Sequence, residues 1–89
     1  MTDFVEPYRI LFAKQARKDI AKLTVAQKSK LKKILEQILA PNPRTGKPLK
    51  GDLMGLYSYR LNRKDRIVDE ILEDDRAILI VRTRSHYGS

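Results

Sequence analysis

The chain has 89 residues, 19 Lys and Arg against 11 Asp and Glu, and a formal net charge of +8. This length predicts one small domain, residues 1–89, with a thin core. At 42% hydrophobic and without a single Cys, the chain is too apolar to be disordered, and disulfide scaffolds, zinc ribbons and thiol nucleophiles are excluded.

Tyr8–Phe12 reads as a strand, because Tyr8, Ile10 and Phe12 alternate with Arg9 and Leu11. From Phe12 the period changes: Ala16, Ile20 and Leu23 follow helical spacing, with Lys14, Arg17, Lys18 and Lys22 outside. That spacing predicts a helix at about 14–22. Thr24 is an N-cap candidate for a second helix. Leu31, Ile34, Leu35, Ile38 and Leu39 then form one buried stripe, opposite Lys28, Lys30, Lys32, Lys33 and Glu36. Pro41-Asn42-Pro43 ends this helix, since proline has no N–H to donate and clashes with a continuing turn. Pro43–Gly55 reads as a loop. Three short strands follow, Leu56–Asn62, Arg66–Leu72 and Ala77–Arg84, joined by the turns Arg63-Lys64-Asp65 and Glu73-Asp74-Asp75. Turns this short make an antiparallel meander. The order β-α-α-β-β-β predicts an α+β fold, with a helical hairpin on one face of a mostly antiparallel four-stranded sheet.

The apolar runs Ala77–Val81 and Ile38–Ala40 are far shorter than the ~20 residues of a membrane span. The acidic start, MTDFVEPYR, has no apolar segment of a secretory signal, so a cytoplasmic location is expected. A sequence pI near 10 points to nucleic acid, an acidic protein partner, or a plain solvated lysine face.

Strand alternation sharpens the charge. In the last strand Leu79, Val81 and Thr83 oppose Ile78, Ile80, Arg82 and Arg84. In the middle strand Ile67, Asp69 and Ile71 oppose Arg66, Val68 and Glu70. In the strand before it Tyr57, Tyr59 and Leu61 oppose Leu56, Ser58 and Arg60. If the helices cover the more apolar set, the open face gathers Arg60, Arg66, Arg82 and Arg84 near Lys47, Lys50, His86 and Tyr87. Arginine suits phosphate because its planar fork binds bidentately. Basic residues on an open sheet face also deter edge pairing and keep a protein soluble, and composition alone leaves both readings open. The helical lysines lie on the other side, where solvation, an acidic partner or further RNA contact are the alternatives. Asp69 falls on the face assigned to the core. There Tyr57 or Tyr59 hydrogen-bonds it, or that part of the face is solvated.

Four segments taken together, Pro48-Leu49-Lys50-Gly51-Asp52-Leu53, Leu56-Tyr57-Ser58-Tyr59-Arg60-Leu61, Asp65-Arg66-Ile67-Val68 and Arg84-Ser85-His86-Tyr87, resemble the RelE/YoeB toxins of bacterial toxin–antitoxin modules. The His-Tyr ending is most similar to the Txe/YoeB branch. The resemblance runs from Tyr8 to Tyr87. It implies a microbial-RNase-like fold and a ribosome-dependent endoribonuclease that cuts mRNA in the A site without metal or cofactor. It also implies cytoplasmic partners: an antitoxin with an acidic segment, the ribosome and mRNA. A homodimer or a hetero-oligomer with the antitoxin would fit equally.

By the resemblance, Arg66 matches the phosphate-binding Arg, and His86 and Tyr87 match the terminal acid/base and phenol. Lys50 and Arg60 match basic positions. Arg84, with Arg82, falls near a second Arg of the RelE branch. Lys47 stands where YoeB-like members usually carry a Glu, which leaves the general base open to the Lys-using RelE pattern. Asp69 stands where an aromatic is usual. Two other readings share this sequence: a ParE-like toxin that acts on DNA gyrase by binding, and a non-catalytic basic RNA-binding module.

Overall fold

The computed structural model describes residues 6–83. Strand β1, Arg9–Phe12, turns Ile10 and Phe12 toward the core while Arg9 and Leu11 stay exposed. Helix α1, Lys14–Ala21, follows directly. Its Ala16 is fully buried, and its cations Lys14, Arg17 and Lys18 face outward.

Helix α2, Val25–Ile34, opens with a capping box. The Thr24 hydroxyl accepts from the Gln27 N–H at 3.1 Å, and the Thr24 N–H donates to the Gln27 side chain at 2.9 Å. Two orphan donors are satisfied at once. Thr24→Ala is therefore expected to cost ~1 kcal/mol, read as a lower urea midpoint with an unchanged slope. An unchanged midpoint would show that the cap contributes nothing. Beyond Ile34 the chain widens into a π-helical stretch, Leu35–Leu39, closed by a 2.8 Å bond from the Ala40 N–H to the Leu35 carbonyl. Pro41 then stops it, as the sequence predicts. Leu31, Ile34, Leu35 and Leu39 are all buried and form the predicted stripe.

The remaining strands are β2 (Lys47–Pro48), β3 (Leu56–Arg60), β4 (Arg66–Leu72) and β5 (Ala77–Arg82). The sheet order is β1-β5-β4-β3-β2, with β1 parallel to β5 and the other pairs antiparallel. The α+β architecture is as expected, with one addition. The Pro43–Gly55 loop contributes the two-residue β2, so the sheet has five strands rather than four. Strand β3 ends two residues earlier than predicted, and β5 runs to Arg82, with the predicted end at Arg84 outside the described residues.

Both helices pack on the face that carries Ile78 and Ile80 of β5, Ile67 of β4 and Tyr59 of β3, with Leu61 just beyond β3. This corrects one face assignment. Leu79 and Val81, expected under the helices, are only half-buried, whereas Ile78 and Ile80 form the core. Arg82 goes with them. Its guanidinium turns to α1 and binds the buried Asp19, with Nε to Oδ2 at 2.8 Å and Nη2 to Oδ1 at 3.3 Å. The Thr83 N–H also donates to Asp19 Oδ2 at 3.1 Å. Burial raises the Asp19 carboxyl's pKa, but the bonds from Arg82, Thr83 and Gln15 outweigh it and hold the carboxyl below the usual carboxylate range. A carboxylate this deep needs such partners. Among the described residues, no helix is long and apolar enough to cross a membrane.

At one edge of the molecule the β4–β5 turn is tied to the chain's start. Tyr8 donates to Glu73 at 2.9 Å, Arg44 pairs with the same carboxylate, and Arg76 lies 4.5 Å over the Tyr8 ring. The Arg44 and Tyr8 hydrogen bonds lower the Glu73 pKa.

Candidate functional site

The open face of the sheet carries the other cations. Arg60, the last residue of β3, stands directly opposite Arg66, the first of β4, and both are exposed. One step along, Lys47 of β2 is opposite Ser58 of β3, which is opposite Val68 of β4. Directly opposed residues have Cβ atoms ~5 Å apart, and diagonal neighbours lie ~7–8 Å apart. Four strand positions therefore bring Lys47, Arg60 and Arg66 around Ser58.

A cleft of ≈ 240 Å³ opens here, lined by Lys47, Leu49, Leu53, Ser58, Arg66 and Val68. Among the described residues, its lining holds two cations and no carboxylate. The 49–53 segment forms its apolar wall. That segment is fixed by a 2.9 Å bond from the Leu49 N–H to the Leu56 carbonyl and by a 3₁₀ turn at Gly51–Leu53. Gly55, at φ +101°, then reverses the chain into β3, a conformation that a residue with a Cβ resists. Gly46 brings β2 in close. A Cβ there would meet the Ser58 carbonyl oxygen at 3.0 Å, so a side chain would push Lys47 off its place.

Like charges set directly opposite across a strand pair destabilise a sheet. The Arg60–Arg66 pair therefore costs the fold, and a bound anion reverses the sign of that interaction. The guanidinium forks supply bidentate donors and Lys47 a point charge, which together suit a phosphate group.

Of the residues expected at the site, Lys47 and Arg66 line this cleft, and Arg60 stands opposite Arg66 outside the lining. Lys50 is exposed at the start of the Gly51–Leu53 turn, on the same loop but outside the cleft's lining. Arg82, expected on this face, is instead paired with Asp19. Arg84, His86 and Tyr87 lie outside the described residues. Sequence reasoning missed the cleft's floor and wall, Ser58, Leu49, Leu53 and Val68. It also missed Gly46, whose signal was its place just before Lys47.

On the helix face Asp69 is buried, opposite Tyr57 on β3 and Ile80 on β5. Its Oδ1 has no hydrogen-bond partner, and neither Tyr57 nor Tyr59 donates to the carboxyl. Burial pushes its pKa up to about 7.

A family model described as "ParE-like toxin of type II bacterial toxin-antitoxin system" matches residues 10–87. No curated protein matches the chain. Several solved structures share the fold. The toxin–antitoxin complex RelBE2 from Mycobacterium tuberculosis is 28% identical, with a TM-score of 0.80 over 90% of this chain and 99% of that one. The YoeB–YefM complex from Staphylococcus aureus is 29% identical, with a TM-score of 0.73 over 90% and 98%. The YoeB/ParE toxin from Agrobacterium tumefaciens is 22% identical, with a TM-score of 0.77 over 89% and 99%. With most of its length matched by the family model and its fold shared with these toxins, the chain belongs to the ParE-like toxins of type II bacterial toxin–antitoxin systems.

Proposed function

We propose that this toxin is a cytoplasmic, ribosome-dependent endoribonuclease that cleaves mRNA. The observation that carries the reading is the cleft where Lys47 and Arg66 converge with no carboxylate among the described lining residues, and with Arg60 opposite Arg66. In this reaction a ribose 2′-OH attacks the adjacent phosphorus and the bond to the 5′-oxygen of the next nucleotide breaks. The products are a 2′,3′-cyclic phosphate and a 5′-OH. The pentacoordinate transition state carries more negative charge than the substrate, so cations fixed before the substrate arrives stabilise it preferentially. His86 and Tyr87 take the acid and base work and stacking against the base.

The partner that silences the toxin is an antitoxin with an acidic segment. Two of the relatives above, RelBE2 and YoeB–YefM, are complexes of this kind. On the helix side, Lys28, Lys32 and Glu36 flank an apolar groove of ≈ 300 Å³ lined by Ile10, Phe12, Ile20, Leu31 and Leu35, a surface that suits an amphipathic segment whose acidic residues meet the two lysines.

A second reading, a toxin that binds DNA gyrase, is the other one kept open by the sequence, and the family model's description as ParE-like favours keeping it. Programmed ribosomes with the purified toxin decide between them. Cleavage of the mRNA, lost in His86→Ala and Tyr87→Phe, supports the nuclease. Intact mRNA with inhibited gyrase supports the other reading. Cleavage that survives both substitutions overturns the acid/base assignment.

A further inference from the structure

We infer that the Ser58 hydroxyl is a donor to a substrate phosphate at the floor of the Lys47–Arg66 cleft. The inference rests on the nuclease reading for the identity of that phosphate, but not for the site itself.

Ser58 is 6% exposed, and its Oγ is shielded from solvent without a hydrogen-bond partner. Buried polar groups are nearly always satisfied, so an orphan calls for a reason. Asp69 Oδ1 and Thr83 Oγ1 share that condition but do not line the cleft, whereas Ser58 does. An alanine would fit the same strand position and leave nothing unsatisfied. The hydroxyl therefore does nothing for β3 that the fold requires.

Its surroundings specify the ligand. Lys47 is directly opposite on β2, and Arg66 is the diagonal neighbour on β4. A group that contacts both cations and accepts a hydrogen bond from between them is an anion with several oxygens, and a phosphodiester meets that description. Leu49, Leu53 and Val68 wall the cleft. They exclude water from the contact, which strengthens each charge-assisted bond, and they offer apolar surface to the attached ribose or base. Lys47 and Leu53 at the rim are exposed and can swing aside to admit the phosphate. Serine is small enough to sit beneath the two cations and still present a rotatable O–H.

The test compares the wild-type chain with Ser58→Ala in three measurements. The first is thermal stability, the second is affinity for uridine 3′-monophosphate and for inorganic phosphate, and the third is mRNA cleavage on programmed ribosomes. The expected result is an equal or higher melting temperature, five- to tenfold weaker binding of both anions, and about tenfold slower cleavage. Unchanged affinity in Ser58→Ala overturns the inference, as does a wild-type chain that binds neither anion. A lower melting temperature with weaker binding would mark the hydroxyl as structural and also overturns it. Ser58-dependent binding by a chain that does not cut mRNA keeps the phosphate site and removes the nuclease reading. Cleavage that is equal in both chains, with equal affinity, keeps the nuclease and removes Ser58.

Discussion

Arg66→Ala lowers mRNA cleavage on programmed ribosomes by about 10²–10³-fold, the usual cost of removing one preorganised donor from a charged transition state. The substitution leaves the fold intact. Arg66 is exposed at the first position of β4, and its cross-strand neighbour is Arg60, so its removal relieves a repulsion. The variant's melting temperature is therefore equal to or above that of the wild type. Arg66→Lys keeps the charge but loses the bidentate fork, and its rate falls between the two. Binding to ribosomes weakens with salt in the wild type. In Arg66→Ala the slope of log affinity against log salt drops by about one, as expected when one phosphate contact is lost. Cleavage by Arg66→Ala at the wild-type rate would remove the cleft from the reaction. A melting temperature several degrees lower would show that the arginine serves the fold.

The legible parts of this molecule were those with one-sided burial. Leu31, Ile34, Leu35 and Leu39 face a single sheet, so their spacing announced α2, and Thr24 marked its start. Strand β4 was read to the residue because polar turns bracket it. Strand β5 was harder. It is central, between β1 and β4, and Ala77, Ile78 and Ile80 are all buried while Leu79 and Val81 are partly so. A strand that is apolar on both faces has no polar side, so alternation could not say which residues meet the helices. The misplacement of Arg82 followed from that.

Its partner, Asp19, is the one acid in a helix rich in Lys and Arg. A pair separated by 63 positions leaves no local pattern. The two residues of β2 are too few to show any period, and their pairing with β3 rests on Gly46 lying against the Ser58 carbonyl. At the site the cations were visible because charge is a property of a residue. Ser58 was not, because its distinguishing feature is the absence of a partner, which exists only in three dimensions.

Asp69→Asn stabilises the fold by up to about 4 kcal/mol at pH 8 and by less than half as much at pH 5. The unfolded carboxyl ionises near 3.8, whereas in the native chain burial pushes its pKa up to about 7. Between those values the unfolded chain has released its proton and the native chain still holds it. The native state then binds more protons, so stability falls as pH rises. The contribution of the neutral acid is complete below 3.8, declines by about 1.4 kcal/mol per pH unit, and levels off once pH passes about 7. Asparagine has the same shape and never ionises, so it removes this decline.

Asp19 has the opposite sign. Its carboxyl is held below the usual range by Arg82, Thr83 and Gln15, so its contribution is present at neutral pH and lost on acidification. Two buried aspartates thus bound the stability profile from opposite sides. Asp69→Asn should flatten the profile between pH 5 and 8 and leave the acid limb unchanged, as read from urea midpoints across that range and below it. Parallel profiles for the two chains from pH 5 to 8 would show that Asp69 is ionised and accommodated in the native state.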